Sequence, residues 1–234
     1  MNSRNNRLKM LRVNHVNLYY ETVGQGRPAV FIHGNGEDHT IFDRTIQLLK
    51  KQFTCYLPDS RGHGMSRWAG EFHYRDMAED LVQFLERLNL RDAAVVGFSD
   101  GGIIGLMAAA RTDRISSLVA CGANTRPEGL RSLYLAGIRI VHFFSRSRLM
   151  RLMLREPDIS DAELARIHAD TLIVAGEHDL IRKSETDHIA ARIPGSEEVI
   201  LPGESHGSYI VHSEKLAKII LQFLTGKKQD RKKR

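Results

Sequence analysis

One short stretch of the chain carries the residues with the clearest chemical potential. Residues 95–102 read Val-Val-Gly-Phe-Ser-Asp-Gly-Gly, which places Ser99 between Gly97 and Gly101. A serine hydroxyl is a weak nucleophile unless a tight turn lifts it out of the backbone to where a base can reach it. Glycines two positions before and two positions after the serine permit such a turn. An apolar strand pattern before Ser99 and an apolar helical pattern after it therefore predict a nucleophile elbow.

A serine nucleophile also needs a histidine base and a carboxylate that orients the histidine. Asp179 directly follows the predicted strand 171–175, and His206 lies in the loop after the predicted strand 198–201. The chain order Ser99, Asp179, His206 is the one expected for an elbow of this type. The carboxyl ends of parallel strands meet at one edge of a sheet, so the three residues are predicted to converge there as nucleophile, acid and base.

Two other carboxylates compete with Asp179 for the orienting role. Glu177 lies closer to the strand and fits turn structure, whereas Asp187 lies in a helical pattern where a solvated face is the simpler explanation. The end of the preceding predicted strand carries Asn124, which cannot serve as a carboxylate. We take Asp179 as the acid.

A negatively charged intermediate would also need hydrogen-bond donors near the serine. The motif His33-Gly-Asn-Gly36 directly follows the predicted strand 29–32, and its glycines let the backbone turn close to the elbow. The backbone amides of Asn35 and Asp100 are therefore predicted to form an oxyanion hole. His33 fits a loop brace better than a base. This chemistry requires no metal and no organic cofactor, and we expect neither.

The elements that must position these residues alternate between strands and helices. Residues 11–23 alternate apolar and polar types around Asn14-His15, which predicts an opening hairpin. Six apolar runs have the length of strands buried on both faces: 29–32, 53–57, 93–98, 117–121, 171–175 and 198–201. Helical patterns lie between them at 41–51, 74–88, 102–111, 184–193 and 214–224. The alternation predicts an α/β fold with a mostly parallel, eight-stranded sheet and helices on both faces.

Residues 125–169 interrupt this alternation and are predicted to form a short helical lid over the carboxyl ends of the strands. Ser160-Asp-Ala-Glu163 fits a capping box that opens a short helix. Six arginines lie in the interval from Arg131 to Arg155. They would either contact an anionic substrate or a membrane, or form a solvated helix face. We favour the solvated face. Four apolar residues either pack the lid core or line a substrate pocket, and the first two are our candidate substrate contacts: Phe143, Phe144, Leu149 and Met153.

The basic character of the chain is confined to its ends. The 234 residues carry a net charge of +6, of which +5 lies in residues 227–234 and +3 in residues 1–9, leaving −2 for the remainder. A core of this charge does not predict nucleic-acid binding. We expect one domain over residues 1–234 with a disordered basic tail at 227–234, where a weak tether to an anionic surface is the alternative.

Membrane and redox signals are weak in this sequence. No stretch approaches the roughly 18 apolar residues of a membrane span, and residues 1–16 contain no apolar signal core. We therefore expect a cytoplasmic protein without stable membrane association, and the sequence leaves its oligomeric state open. Cys55 and Cys121 each lie in an apolar strand pattern, so buried free thiols are predicted.

Taken together, the motifs resemble those of the α/β-hydrolase fold family over nearly the whole chain. The motifs that carry the resemblance are residues 33–36, 59–66, 97–102, 176–179 and 203–206. Within the family, the sequence around Ser99 is similar to valacyclovir hydrolase and small bacterial serine esterases. That resemblance implies an enzyme that cleaves small carboxylic esters through an acyl-enzyme. It further implies that Asp100 contacts the amino group of an amino-acid ester; the alternative is that Asp100 is a solvated or loop-bonded residue.

Other functions fit the same residues. A hydrolase-like receptor or signalling protein would keep the triad and use the pocket for binding. The same triad also supports cofactor-free perhydrolysis and cleavage of carbon–carbon bonds. We take ester hydrolysis of a small molecule as the primary expectation.

Overall fold

The computed structural model describes the backbone of residues 8–231 and the side chains of residues 8–225. Of the expected tail at 227–234, residues 232–234 and the side chains of 227–231 therefore lie outside the described residues. Strands β1 (Leu8–Val13) and β2 (Val16–Gly24) form the predicted antiparallel hairpin. Asn14 and His15 connect them with positive φ angles of 36° and 65°. Two-residue hairpin turns favour such angles because they match the twist of the paired strands.

Six more strands complete a single sheet of eight in the order β1-β2-β4-β3-β5-β6-β7-β8, in which β3 to β8 run parallel. They are β3 (Arg27–Ile32), β4 (Phe53–Pro58), β5 (Ala93–Phe98), β6 (Ile115–Cys121), β7 (Asp170–His178) and β8 (Glu197–Ser205). The predicted mostly parallel eight-stranded sheet is confirmed. Cys55 in β4 and Cys121 in β6 are buried free thiols, as predicted.

Helices cover both faces of the sheet. The connecting helices are α1 (Asp43–Leu49), α2 (Tyr74–Arg87) and α3 (Asp100–Ala109). Neighbouring positions of β5 show the two layers: Val95 packs in one core with Leu106 of α3, whereas Val96 packs in the other with Leu49 of α1. Side chains alternate between the faces of a strand, and every residue of β5 is buried. This is why β5 reads as a continuous apolar run.

The segment between β6 and β7 forms three helices: α4 (Ser132–Ser145), α5 (Arg148–Arg155) and α6 (Asp161–Leu164). The capping box at Ser160 is present, with Ser160 Oγ accepting from the Glu163 amide and the Glu163 side chain accepting from the Ser160 amide. Ile138 of α4 packs with Leu130 and Ile181 and so attaches this segment to the loop after β7. Of the helices in the described part of the chain, none has the length and apolarity needed to cross a bilayer.

Two further helices flank the last strand: α7 (Lys183–Arg192) and α8 (Lys215–Arg231). Strands β7 and β8 are both longer than their apolar runs. The register between the two strands shifts between Gly176 and His178. Pro202, which has no backbone N–H to donate, is tolerated in β8 because β8 is an edge strand. The longer pairing brings Asp179 and His206, which directly follow these strands, to the same end of the sheet.

Candidate active site

Ser99 lies in the sharp turn between β5 and α3. Its φ and ψ angles are 53° and −116°, a combination that L-residues rarely adopt and that costs of the order of 1–3 kcal/mol. The flanking glycines make the turn possible, because a Cβ at Gly97 would lie 2.1 Å from the carbonyl oxygen of Gly101. A Cβ at Gly101 would lie 2.1 Å from the carbonyl oxygen of Ile32 in β3. The predicted elbow is present, and its glycines allow α3 to pack directly on the sheet.

The variant Gly101→Ala is expected to lose more than about 4 kcal/mol of stability, because its methyl group would meet backbone rather than a movable side chain. Gly137→Ala in α4 is the matched control, since no atom lies within 4 Å of the added Cβ. The control is expected to gain about 0.5–1 kcal/mol from helix propensity. Urea unfolding followed by circular dichroism measures both, and equal stabilities for the two variants would contradict the packing argument.

A continuous chain of polar contacts connects three side chains at the carboxyl end of the sheet. His206 Nε2 lies 3.0 Å from Ser99 Oγ, and His206 Nδ1 lies 2.7 Å from Asp179 Oδ1. Ser99 follows β5, Asp179 follows β7 and His206 follows β8, so the side chains of three strand ends converge. The structure thus brings together the three residues that the sequence nominated as nucleophile, acid and base.

Asp179 is buried but well supplied with donors. Its Oδ1 also accepts from the Ile181 amide at 2.9 Å, and its Oδ2 accepts from the Gly176 amide at 3.3 Å. Burial raises the pKa of Asp179, but the hydrogen bond and charge of His206 and the two amides outweigh it, so the pKa lies below its usual value. Asp179 is therefore an ionised carboxylate at neutral pH.

The imidazole of His206 is held by two neighbours that sequence reasoning missed. The ring of Phe98, the residue before the serine, lies 4.9 Å from the imidazole centroid. A Cβ at Gly122, directly after β6, would lie 2.7 Å from His206 Cε1. Gly122 thus leaves the room that the imidazole occupies. The signal in the sequence was the glycine that directly follows the predicted strand 117–121.

The two residues nominated for the oxyanion hole lie side by side. Asn35 Nδ2 donates to Asp100 Oδ2 at 2.9 Å, and the buried Asp100 carboxylate also accepts from the hydroxyl of Tyr74. Burial raises the pKa of Asp100 and outweighs these hydrogen bonds. The backbone amides of Asn35 and Asp100 donate to no acceptor in the described residues. Asp100 is also the first residue of α3, where the helix leaves backbone amides unpaired and positively polarised.

His33 braces the loop, as its sequence context indicated. Its Nε2 accepts from the Ser60 amide at 2.9 Å, and its Nδ1 donates to the Gly34 carbonyl at 2.8 Å. Burial and the nearby His63 lower the pKa of His33 to about 4, so its imidazole is neutral at pH 7. Both ring nitrogens are engaged, and His33 has no nitrogen left to serve as a base.

The two other carboxylates considered for the orienting role, Glu177 and Asp187, have different hydrogen-bond partners. Glu177 accepts from the Gly203 amide at 2.8 Å, and Asp187 pairs with Lys183 at 2.5 Å on α7. Asn124 donates to the Arg126 carbonyl at 2.7 Å. Among the described residues, no group of three or more His, Cys, Asp or Glu side chains has a metal-binding arrangement.

A cavity of about 250 Å³ opens above Ser99 and His206. One wall consists of apolar side chains from the helical segment and the loop after β7: Tyr134, Ile138, Met150, Met153 and Leu180. Gly34, Asn35 and Glu37, from the loop after β3, also line the cavity. Asp100 is absent from the lining, because its carboxylate is buried behind Asn35.

Phe143 and Phe144 do not reach this cavity, so the expected substrate contacts are not met in the structure. Their side chains are 63% and 79% exposed. Phe144 comes nine residues, about two and a half turns, after the buried Leu135, and therefore faces away from the sheet. Of the four apolar residues nominated in this segment, Met153 lines the cavity and Leu149 packs against the main core.

Glu37 is a cavity residue that sequence reasoning missed. Its Oε2 accepts from the Gly34 amide at 3.0 Å. Burial raises the pKa of Glu37, and the Gly34 hydrogen bond and the positive charge of His206 oppose this rise only in part. Its place directly after the motif 33–36 was the available signal. The cavity that contains Ser99 is therefore lined by a carboxyl group, that of Glu37.

The comparisons with known proteins agree with this geometry. A family model of the alpha/beta hydrolase fold matches residues 28–149. The serine hydrolase BPHL of Homo sapiens is 31% identical over 248 residues, which cover 91% of this chain and 84% of that protein. The AB hydrolase superfamily protein YisY of Bacillus subtilis is 28% identical over 258 residues, which cover 89% of this chain and 96% of that protein. A bromoperoxidase from Bacillus anthracis superimposes with a TM-score of 0.82 at 22% identity, covering 93% of this chain and 99% of that one. The chain belongs to the α/β-hydrolase fold family and is a hydrolase.

Proposed function

We propose that the protein cleaves small carboxylic esters through an acyl-enzyme formed on Ser99. The observation that carries the proposal is the contact chain from Ser99 Oγ through His206 to Asp179, with spacings of 3.0 and 2.7 Å. These spacings lie within the range over which protons are exchanged between side chains. Two unpaired amides beside the hydroxyl supply donors for a developing negative charge.

Acylation begins when Ser99 Oγ attacks the ester carbonyl carbon and its proton passes to His206 Nε2. The carbonyl oxygen takes up the negative charge and accepts hydrogen bonds from the amides of Asn35 and Asp100. The imidazole is now a cation, and the ionised carboxylate of Asp179 stabilises it through Nδ1. When the carbonyl re-forms, the alkoxy group leaves with the proton from Nε2 as an alcohol.

Deacylation repeats these steps with water as the nucleophile. Water gives a proton to His206 Nε2 and its oxygen attacks the acyl carbon, and the same two amides receive the charge. Ser99 Oγ then leaves and takes the proton back, which releases a carboxylic acid and restores the resting site. Each proton transfer passes through His206 Nε2: the original Ser99 proton leaves with the alcohol, and water supplies the proton that restores the Ser99 hydroxyl.

The cavity limits the acyl group that this site accepts. A volume of about 250 Å³ lies at the small end of ligand pockets, and one wall is apolar. We therefore expect short-chain acyl groups to react fastest. Glu37 adds a carboxyl group to the lining, which disfavours acyl groups that carry a negative charge of their own.

Fluorophosphonate labelling tests the proposal directly. We expect the wild-type protein to gain one covalent adduct, seen by mass spectrometry, because an activated serine attacks the phosphorus atom. Ser99→Ala is expected to remain unlabelled, whereas Ser145→Ala, which removes an exposed surface serine, is expected to label like the wild type. Labelling that persists in Ser99→Ala would contradict the role of Ser99.

Turnover of p-nitrophenyl esters of increasing chain length separates this function from its alternatives. Rapid hydrolysis of the acetate and butyrate esters with a decline for longer chains is the expected result. Labelling without turnover would favour a receptor that keeps the triad. Faster reaction of the acyl-enzyme with hydrogen peroxide than with water would favour perhydrolysis.

The pair of Asn35 and Asp100 yields a further prediction. The hydrogen bond between their side chains couples the two residues whose amides would form the oxyanion hole. Asp100→Ala removes this bond, and we expect kcat for p-nitrophenyl acetate to fall about 10–100-fold with little change in KM, because the donors lose their alignment. Steady-state kinetics of the purified variants measures this split.

The same variants decide whether Asp100 contacts an amino group of the substrate. Asp100→Asn keeps a hydrogen-bond acceptor for Asn35 but removes the charge. If Asp100 only positions the loop, Asp100→Asn lowers kcat/KM equally for amino-acid esters and for p-nitrophenyl acetate. A selective loss for amino-acid esters would assign recognition of the ammonium group to Asp100 instead.

A further inference from the structure

Helix α4 is apolar on nearly every side, yet few of its residues are buried. Leu135 and Ile138 face the body of the protein. Leu133, Ile140 and Phe144 are 88%, 60% and 79% exposed, and steps of seven and four residues place them on one outward face. A helix that is apolar on all sides is typical of a protein core or of a lipid environment, because exposing apolar side chains to water is unfavourable. The outer face of α4 therefore requires a covering partner.

The charge around α4 indicates the chemistry of that partner. No acidic residue lies between Glu128 and Glu156, whereas six arginines lie in the same interval. One of these, Arg151, pairs with Glu71. Five form no ion pair within the part of the chain that the structure describes: Arg131, Arg139, Arg146, Arg148 and Arg155. Their side chains are exposed. An apolar face bordered by unpaired cations fits a partner that is apolar inside and anionic at its surface.

We propose that α4 binds at the surface of an anionic lipid bilayer. The apolar face enters the boundary between headgroups and acyl chains, while the arginines contact lipid phosphates. Such a helix lies in the plane of the interface and does not cross the bilayer, in agreement with the lengths of the described helices. The sequence favoured a solvated helix face because it shows composition but not which side chains the fold leaves uncovered.

A second copy of the chain is a poorer partner for this face. A two-fold arrangement would bring the arginines of both copies together, and like charges across an interface oppose association. Anionic headgroups, in contrast, neutralise these charges. The charge pattern therefore favours a lipid surface over self-association.

The bound helix would place the bilayer next to the entrance of the active site. A groove of about 740 Å³ is bordered by Tyr134, Gly137 and Val141 of α4 on one side and by Ser205 and His206 on the other. An apolar ester that leaves the bilayer along α4 would reach this groove with little exposure to water. Membrane binding would thus concentrate amphiphilic esters at the site.

Vesicle co-sedimentation of the full chain tests the proposal. Binding to vesicles that contain about 30% phosphatidylglycerol in phosphatidylcholine is expected to be at least about tenfold tighter than binding to phosphatidylcholine alone, and to weaken with added salt. The double variant Ile140→Ser/Phe144→Ser is expected to bind the anionic vesicles at least about tenfold more weakly. The matched control Met10→Ser/Met65→Ser removes two other exposed apolar side chains and is expected to bind like the wild type.

Circular dichroism of each variant establishes that it is folded before binding is measured. Equal binding to neutral and anionic vesicles would overturn the proposal. Unchanged binding of the Ile140→Ser/Phe144→Ser variant would assign the affinity to the basic residues 227–234 and overturn it as well. If light scattering shows a dimer for the wild type and a monomer for the Ile140→Ser/Phe144→Ser variant, the outer face of α4 is an interface with a second copy of the chain, and the lipid proposal is overturned. Because the measurement is binding rather than turnover, each of these results leaves the proposed ester hydrolysis intact.

Discussion

Ser99→Ala is expected to lower kcat for p-nitrophenyl acetate by about 10⁵-fold, because it removes the hydroxyl that contacts His206 Nε2. His206→Ala is expected to cause a loss of similar size, since an unactivated serine hydroxyl reacts slowly. The double variant should be no slower than either single variant, because the two residues act as one unit. Initial rates with each purified variant measure these effects. Additive losses in the double variant would contradict the shared proton transfer.

Backbone strain at the elbow supplies a control for this experiment. Ser99 has a φ of 53° in a region that favours glycine. Ser99→Gly is therefore expected to be as inactive as Ser99→Ala but more stable than the wild type by about 1 kcal/mol. Urea unfolding measures this difference. Equal stabilities of the glycine and alanine variants would show that the elbow is not strained.

Asp179→Asn is expected to lower kcat by about 10³–10⁴-fold at neutral pH. Asp179 Oδ1 accepts from both His206 Nδ1 and the Ile181 amide, while Oδ2 faces the Gly176 amide. An asparagine oxygen at the Oδ1 position would turn its NH₂ group towards the Gly176 amide, so that two donors face each other. The variant also lacks the negative charge that stabilises the imidazolium during catalysis. The pH dependence of kcat/KM for both proteins measures the loss.

The same carboxylate makes the stability of the protein depend on pH in a defined direction. The pKa of Asp179 is lower in the folded state than its usual value, so the ionised form stabilises the fold at neutral pH. This contribution is present above the pKa of the unfolded chain and is lost as the pH falls through the lowered pKa of the folded state. The stability difference between the wild type and Asp179→Asn should therefore shrink on acidification. A difference that stays constant from pH 7 to pH 3 would contradict the assignment of this carboxylate.

Local sequence patterns were sufficient to predict the strands and turns in which a few neighbouring residues determine the conformation. Val95 and Val96 lie in an apolar run that only a strand buried on both faces explains, and Gly97 and Gly101 mark a turn that only glycines permit. Asn14-His15 marks a two-residue hairpin turn. In each case the conformational requirement is set by a few neighbouring residues, so it can be read along the chain.

Contacts between distant segments were harder to predict. Glu37 lines the cavity, Asp100 is buried behind Asn35, and Gly122 makes room for His206, and all three depend on how loops from different strands meet. Phe144 shows the opposite difficulty. Its apolar side chain predicts burial, but it lies on a face of α4 that is exposed in the structure. Orientation around a helix axis is decided by what packs against the helix, and the residue type does not reveal it.

The sequence by itself determined the order of strands and helices, the turn at Ser99 and the three candidate catalytic residues, because chain order and glycine placement are local properties. Only the tertiary structure decided the contacts between Ser99, His206 and Asp179, since those residues are separated by up to 107 positions and meet through the parallel pairing of β5 to β8. It also decided which apolar side chains of α4 face the sheet and which face outward. The physical reason is the same in both cases: proximity across a sheet and exposure on a helix arise from the packing of whole elements.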